Sequence, residues 1–121
     1  MRTHPEHPAS TTGHLSPLLT RETENHAWHQ ASITLQGHHN WSSRFHAINA
    51  ELPGGLLAKE VCAQSWPGQT LVEAAEQCVN LWRRSPSHWQ AIRSEHVLFG
   101  YDMKLGADGV WYAAGIFAGR D

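Results

Sequence analysis

A chain of 121 residues, 40% hydrophobic and with six tryptophans, holds enough apolar material for one packed core and little more. Its net charge is −2, and its nine Lys and Arg form no long run or stripe, which argues against a nucleic-acid surface built on phosphate neutralisation. No apolar stretch approaches the ~20 residues that a membrane-spanning helix needs, so no membrane span is expected.

Residues 1–20 read as a disordered leader. They carry Pro5, Pro8 and Pro17, several Ser and Thr, and no apolar periodicity. They also lack the apolar h-region of a signal peptide, so either the protein stays inside the cell or an export signal once preceded this chain. A single domain is expected over 21–121. The first helix is predicted over 20–36, with Glu22 and Glu24 in the turn where the helix dipole favours acids. Trp28, Ala31 and Leu35 form its apolar stripe, and Gly37 ends it. Asn40 is the expected N-cap of a second helix, on which Trp41, Phe45, Ile48 and Leu52 share a face. The same Asn40 opens an Asn40-Trp41-Ser42 sequon, which matters only in a eukaryotic secretory pathway.

Pro53-Gly54-Gly55 turns the chain into a strand, LLAKEVCA at 56–63. Glu60 sits in its middle on the face shared by Ala58 and Cys62, and a carboxylate in an apolar strand is a local conflict that often marks a site. Thr70-Leu71-Val72-Glu73 is a capping box for a third helix, with Leu71, Ala75, Cys78 and Trp82 at helical spacing. Ser85-Pro86 restarts the chain as an N-cap and a first helical residue, which places His88 in the opening turn of a short fourth helix. Alternation through Val97, Phe99, Tyr101 and Met103, a Gly106-Ala107-Asp108-Gly109 turn and a return over 110–117 predict a β-hairpin. Cys62 and Cys78 either form a disulfide or pack as two buried thiols.

Ten histidines are unusual, and protonating them near pH 6 would turn the net charge positive. His88 lies at the positive end of a helix dipole, which favours the neutral imidazole that binds metal or accepts a proton. His38 follows a forced helix break. With Glu60, these two imidazoles form a set sufficient for zinc with one position left for water, or equally a hydrogen-bonded structural cluster. His26, His29, His46 and His96 read as surface or boundary residues, and Trp28, Trp41, Trp82 and Trp89 as core. Trp66, in the loop after the Glu60 strand, is placed either at a cleft rim or in solvent.

The order of elements, with GHHNWSSRF at 37–45, AKEVCA at 58–63, AAEQCVNLWRRSPSHWQAI at 74–92, and FGYDM with GVWYAAGIFA at the end, resembles the CAP superfamily of cysteine-rich secretory, antigen 5 and pathogenesis-related proteins, the SCP domain, in its short bacterial form. The resemblance covers about residues 23–118. It implies an α+β fold, a three-layer α-β-α sandwich with a small antiparallel sheet, and a cleft lined by two histidines and one or two acids. In several members that cleft binds zinc or another divalent ion. By this resemblance His38, Glu60 and His88 are the cleft residues and metal ligands, with His39 the alternative to His38.

Three departures stand out. Lys59-Glu60-Val61 replaces the family's Gly-Glu-Asn, Ser85 stands where many members carry a second cleft acid, and Gly115 occupies the place of a glutamine. The function so implied is a non-enzymatic binding module for a protein or lipid ligand, extracellular or periplasmic, able to form a homodimer and to hold Zn2+. A zinc-dependent ester or peptide hydrolase with Glu60 as general base is the alternative. A structural interaction domain with a hydrogen-bonded histidine cluster is the third.

Overall fold

The structure is a computed structural model that describes residues 13–93 and 97–120. The order of elements is β1 (His14–Leu15), α1 (Pro17–Ile33), α2 (Trp41–Glu51), β2 (Leu57–Gln64), α3 (Leu71–Arg83), α4 (Pro86–Arg93), β3 (Leu98–Leu105) and β4 (Trp111–Gly119). This is the expected α+β class. Four strands form one sheet in the order β1-β3-β4-β2. The three long strands are antiparallel, as predicted, and β1 adds a two-residue parallel edge, so the sheet is mixed.

Strand alternation sorts the core into two layers around the sheet. Val61, Ala63, Phe99, Ala113 and Phe117 pack with Cys78, Trp82, Trp89 and Ile92 from α3 and α4. On the other side Ala58, Ile116 and Ala118 pack with Leu19 of α1 and with Ile48 and Leu52 of α2. The result is helix, sheet, helix. Cys62 shares the α1/α2 side with Ala58, whereas Cys78 belongs to the α3/α4 side. Both are free buried thiols, so the alternative of a disulfide is not the one adopted.

The first helix differs most from expectation. It begins at Pro17 instead of Thr20, because Ser16 caps it by accepting a hydrogen bond from the Leu19 amide at 3.1 Å and Pro17 supplies a preset φ. The structured chain therefore starts before residue 21, and the part of the expected leader at 1–12 lies outside the described residues. The helix stops at Ile33 with Thr34 in the left-handed region (φ 50), before reaching Gly37. Its buried face is not the Trp28–Ala31–Leu35 stripe: Trp28 and Leu35 are exposed. Leu19, Thr23, His26, Ala27, Gln30 and Ala31 are buried instead. A polar inner face hid this periodicity, since Thr23, His26 and Gln30 contribute nothing to an apolar stripe.

The remaining elements match the sequence more closely. The capping box at Thr70 forms in both directions, with Glu73 N to Thr70 Oγ1 at 3.2 Å and Thr70 N to Glu73 Oε1 at 2.9 Å. Asn40 does precede α2, but in a left-handed conformation (φ 56) and without a side-chain cap bond. Gly100 lets α1 ride directly on β3. A Cβ there would lie 2.5 Å from the Leu19 carbonyl carbon and from the Thr20 nitrogen.

Candidate functional site

Among the described residues β2 pairs only with β4 and so forms one edge of the sheet. Polar groups from both helical layers can therefore meet around it. Glu60 faces the α1/α2 side in the middle of this strand, opposite Ile116. Its side chain is 1% exposed, and four donors close on its two oxygens. Arg44 of α2 holds it in a two-pronged ion pair, Nη1 to Oε2 and Nη2 to Oε1 at 2.9 Å. His38 Nδ1 reaches Oε1 at 3.0 Å, and the Cys62 thiol reaches the same oxygen at 3.4 Å.

The sequence positions His38 through the buried polar face of α1. Gln30 accepts a hydrogen bond from the Gly37 amide at 3.1 Å and donates to the Ala113 carbonyl at 3.2 Å. His26 Nε2 lies 2.7 Å from the Gly37 carbonyl oxygen. A carbonyl only accepts, so the His26 proton is on Nε2. These bonds pin the loop between α1 and α2 on both sides of Gly37. Arg44 Nε adds a bond to the His39 carbonyl at 2.9 Å. His39 itself turns away from Glu60 to bond the Leu35 carbonyl at 3.1 Å, and its ring meets the edge of His29 at 5.5 Å between centroids. His38, not His39, is the loop histidine at Glu60.

His88 reaches the same place from α4. Its ring stacks on His38, 6.1 Å between centroids and 17° from parallel, and its Nδ1 bonds Ser85 Oγ at 2.8 Å. Ser85 thus holds His88 from the residue just before α4. His38 and Glu60 are in direct contact, while His88 touches the pair through His38.

The electrostatics follow from this packing. Burial alone would push the Glu60 carboxyl up, but the hydrogen bonds from Arg44 and His38, with the nearby His26 and Arg44 charges, hold it at about 2. His26 is lowered by burial, partly offset by Glu60. His88 is lowered by burial and by its neighbour His38. Burial, and then Glu60, push the Cys62 thiol well above its ordinary value. At neutral pH the site therefore contains an ionised carboxylate, a guanidinium, a thiol and neutral His26 and His88.

His38 Nδ1 faces an acceptor-only carboxylate and so carries a proton there. Neither His38 Nε2 nor His88 Nε2 makes a hydrogen bond among the described residues. A second grouping is present as well: His26, Glu60 and Cys62 each place a ligand atom within 4.8 Å of the others, an arrangement compatible with a metal ion. His38 and His88 are not members of that group. Sequence reasoning read His26 as a surface or boundary residue, yet it is buried, and it did not assign Arg44 to Glu60. The signal for Arg44 was the mid-strand carboxylate itself, since a buried acid needs a partner.

No family model matches the chain, and no curated protein matches it significantly. Among solved structures, it is similar to an outer surface protein from Borrelia burgdorferi. The match has a TM-score of 0.69 at 18% identity, over 92% of this chain and 80% of that one. At that identity the similarity speaks for the fold.

Proposed function

We propose that this chain is a CAP/SCP-like binding module whose polar cleft at the β2 edge holds a divalent metal ion, with zinc the best chemical match. The observation that carries the reading is the stacked His38–His88 pair, in which each Nδ1 is already engaged and each Nε2 is left without a hydrogen bond among the described residues. Glu60 then stands behind His38 as the orienting carboxylate, and Arg44 keeps that carboxylate ionised. The lowered pKa keeps His88 neutral, as a ligand must be, at pH 7. A bound ion would act as a Lewis acid with water in its remaining positions. The deeper His26–Glu60–Cys62 group suits an ion less well. Its thiol resists ionisation, His26 Nε2 is donating to Gly37, and the Arg44 charge lies alongside.

The hydrolase alternative would use Glu60 as general base. Its low pKa and filled acceptor positions make it a weak one. The purely structural reading is favoured by one observation, the buried two-pronged Arg44–Glu60 pair, which needs no metal to be satisfied. An extracellular or periplasmic setting is part of the proposal, supported by the name of the similar outer surface protein. No helix among the described residues is long and apolar enough to cross a membrane. A protein ligand or a second copy of the chain would find apolar surface at the exposed Trp28 and Leu35.

A calorimetric zinc titration at pH 7 tests the reading, with the His38→Ala/His88→Ala and Cys62→Ser variants alongside. One-to-one binding that disappears in the double-histidine variant and persists in Cys62→Ser supports it. Binding lost in Cys62→Ser but kept in the histidine variant moves the ion to the buried group and overturns the assignment. Identical weak multi-site binding in all three proteins, from the eight other histidines, sinks the metal site.

A further inference from the structure

Histidines outside the cleft form a group of their own where α1 runs into the loop that follows it. The rings of His26 and His29 on α1 and of His39 in the loop make a triangle. Their centroids lie 6.2 Å apart for His26–His29, 6.0 Å for His26–His39 and 5.5 Å for His29–His39. His26 and His29 are neighbours on the helix surface, as positions i and i+3 are. His39 arrives because the loop, pinned at Gly37 by Gln30 and His26, turns back along the helix. The adjacent His38 goes to Glu60 instead. One loop thus supplies two separate histidine groups.

The hydrogen bonds of this triangle are those of metal ligands. A metal-binding histidine donates one ring N–H to a carbonyl or carboxylate, which fixes the ring and leaves its other nitrogen for the ion. His26 Nε2 donates to the Gly37 carbonyl at 2.7 Å, and His39 Nε2 donates to the Leu35 carbonyl at 3.1 Å. A carbonyl only accepts, so both rings carry a proton on Nε2. Their Nδ1 atoms, and both ring nitrogens of His29, make no hydrogen bond among the described residues. His26 is neutral at pH 7 because burial lowers its pKa, so its Nδ1 offers a lone pair. The Arg44 guanidinium lies 3.4 Å from His26 Nε2, the donating nitrogen, and is itself paired with Glu60. A purely structural cluster would join ring to ring, and no two of these three rings share a hydrogen bond.

The distances show what has to move. Two imidazoles on one ion, each nitrogen about 2.0 Å from it, put their ring centroids about 5 Å apart, and the observed separations exceed that by about 1 Å or less. The three nitrogens are not all within 4.8 Å of one another, the spacing that His26, Glu60 and Cys62 reach. Two of the rings are tied to backbone carbonyls, whereas His29 is exposed and its ring is unbonded, so rotation of the His29 side chain closes the set. We propose that His26, His29 and His39 form a second metal site, a three-imidazole site for copper(II). Imidazole suits copper, and a given nitrogen site binds copper(II) more tightly than zinc. A set that the ion itself must close therefore takes copper where the cleft takes zinc. The site shares no ligand with the His38–His88 cleft and does not depend on it.

The test is a copper(II) titration of the full chain carrying His38→Ala/His88→Ala, which removes the cleft, with glycine as a competing chelator to suppress weak sites. His29→Gln is added in one protein, and His46→Gln, at another exposed histidine, in its control. Electron paramagnetic resonance reads the nitrogens on the ion, and circular dichroism verifies that each variant folds. The expected result is one-to-one binding with three nitrogen ligands, weakened at least tenfold by His29→Gln and within twofold of its parent in the control. The same pair of substitutions is compared in the otherwise unaltered chain with zinc present in excess, so that a folding defect in the double variant does not remove the test. Failure of zinc to bind at His38 and His88 leaves the copper result standing. Absence of one-to-one copper binding in both backgrounds overturns the proposal. So does equal weakening by His29→Gln and His46→Gln, which means scattered histidine binding, and so does a resonance spectrum that His29→Gln leaves unchanged.

Discussion

Replacing Glu60 by Gln keeps the shape of the side chain and removes the charge on which the site is organised. The Glu60 side chain is 1% exposed and its carboxyl is held at about 2, against an ordinary 4.5. At about 1.4 kcal/mol per pH unit, that difference amounts to about 3 kcal/mol of stability at neutral pH. Breaking a buried ion pair from one side gives a similar figure, about 3–5 kcal/mol, because the surviving guanidinium is left with its desolvation uncompensated. For a domain of this size the expected loss in Tm is about 10 °C. Because the folded pKa is depressed, the contribution is complete above pH 4.5 and is lost as pH falls toward 2, and at pH 3 about half of it remains.

Urea unfolding followed by tryptophan fluorescence at pH 7, 5 and 3 measures this directly. The parent-minus-variant difference should be about 3 kcal/mol at pH 7, and its Glu60-linked part should shrink between pH 5 and 3. Adding Arg44→Met to Glu60→Gln should restore part of the loss, since the unpaired cation is then gone. Equal stability of parent and Glu60→Gln at pH 7 would refute the assignment of Glu60 as a buried, Arg44-paired carboxylate.

Two further outcomes check the architecture. Gly100→Ala would drive a Cβ to 2.5 Å from the α1 backbone and should cost about 3 kcal/mol or prevent folding, whereas Gly54→Ala, with nothing within 4 Å, should leave Tm within a degree or two. An unchanged Tm for Gly100→Ala would show that α1 does not ride on β3. Thiol labelling at pH 8 should be negligible in the native protein and should reach two thiols per chain in denaturant, because burial raises the Cys78 pKa to about 12 and the Cys62 pKa further. Rapid native labelling, or a disulfide detected in the purified chain, would contradict the separation of the two cysteines to opposite sides of the sheet.

Much of the secondary structure was legible in the residues. The apolar stripe Trp41–Phe45–Ile48–Leu52, the Thr70–Glu73 capping box, the Ser85-Pro86 restart and the hairpin turn at 106–109 each act through near neighbours in the chain. Such patterns depend on local geometry alone, so α2, α3, α4, β2 and the hairpin fall within a few residues of their expected limits. Glu60 was also marked by sequence, because a carboxylate in an apolar strand violates the local pattern. The misreading of the inner face of α1 has a tertiary cause. α1 buries Thr23, His26 and Gln30, and polar residues are stable there only because the Gly37 backbone and the Ala113 carbonyl come from elsewhere to meet them.

The sequence by itself determined the α+β class and most element positions, since hydrophobic period, caps and turns are properties of neighbouring residues, and it marked Glu60 as a carboxylate out of place in an apolar strand. Only the tertiary structure decided how those groups are partnered. The edge position of β2 brings Arg44 from α2, His26 from α1 and His88 from α4 to one strand. Contacts between residues so far apart in the chain are set by layer packing and strand order, and neither leaves a periodic trace in one sequence.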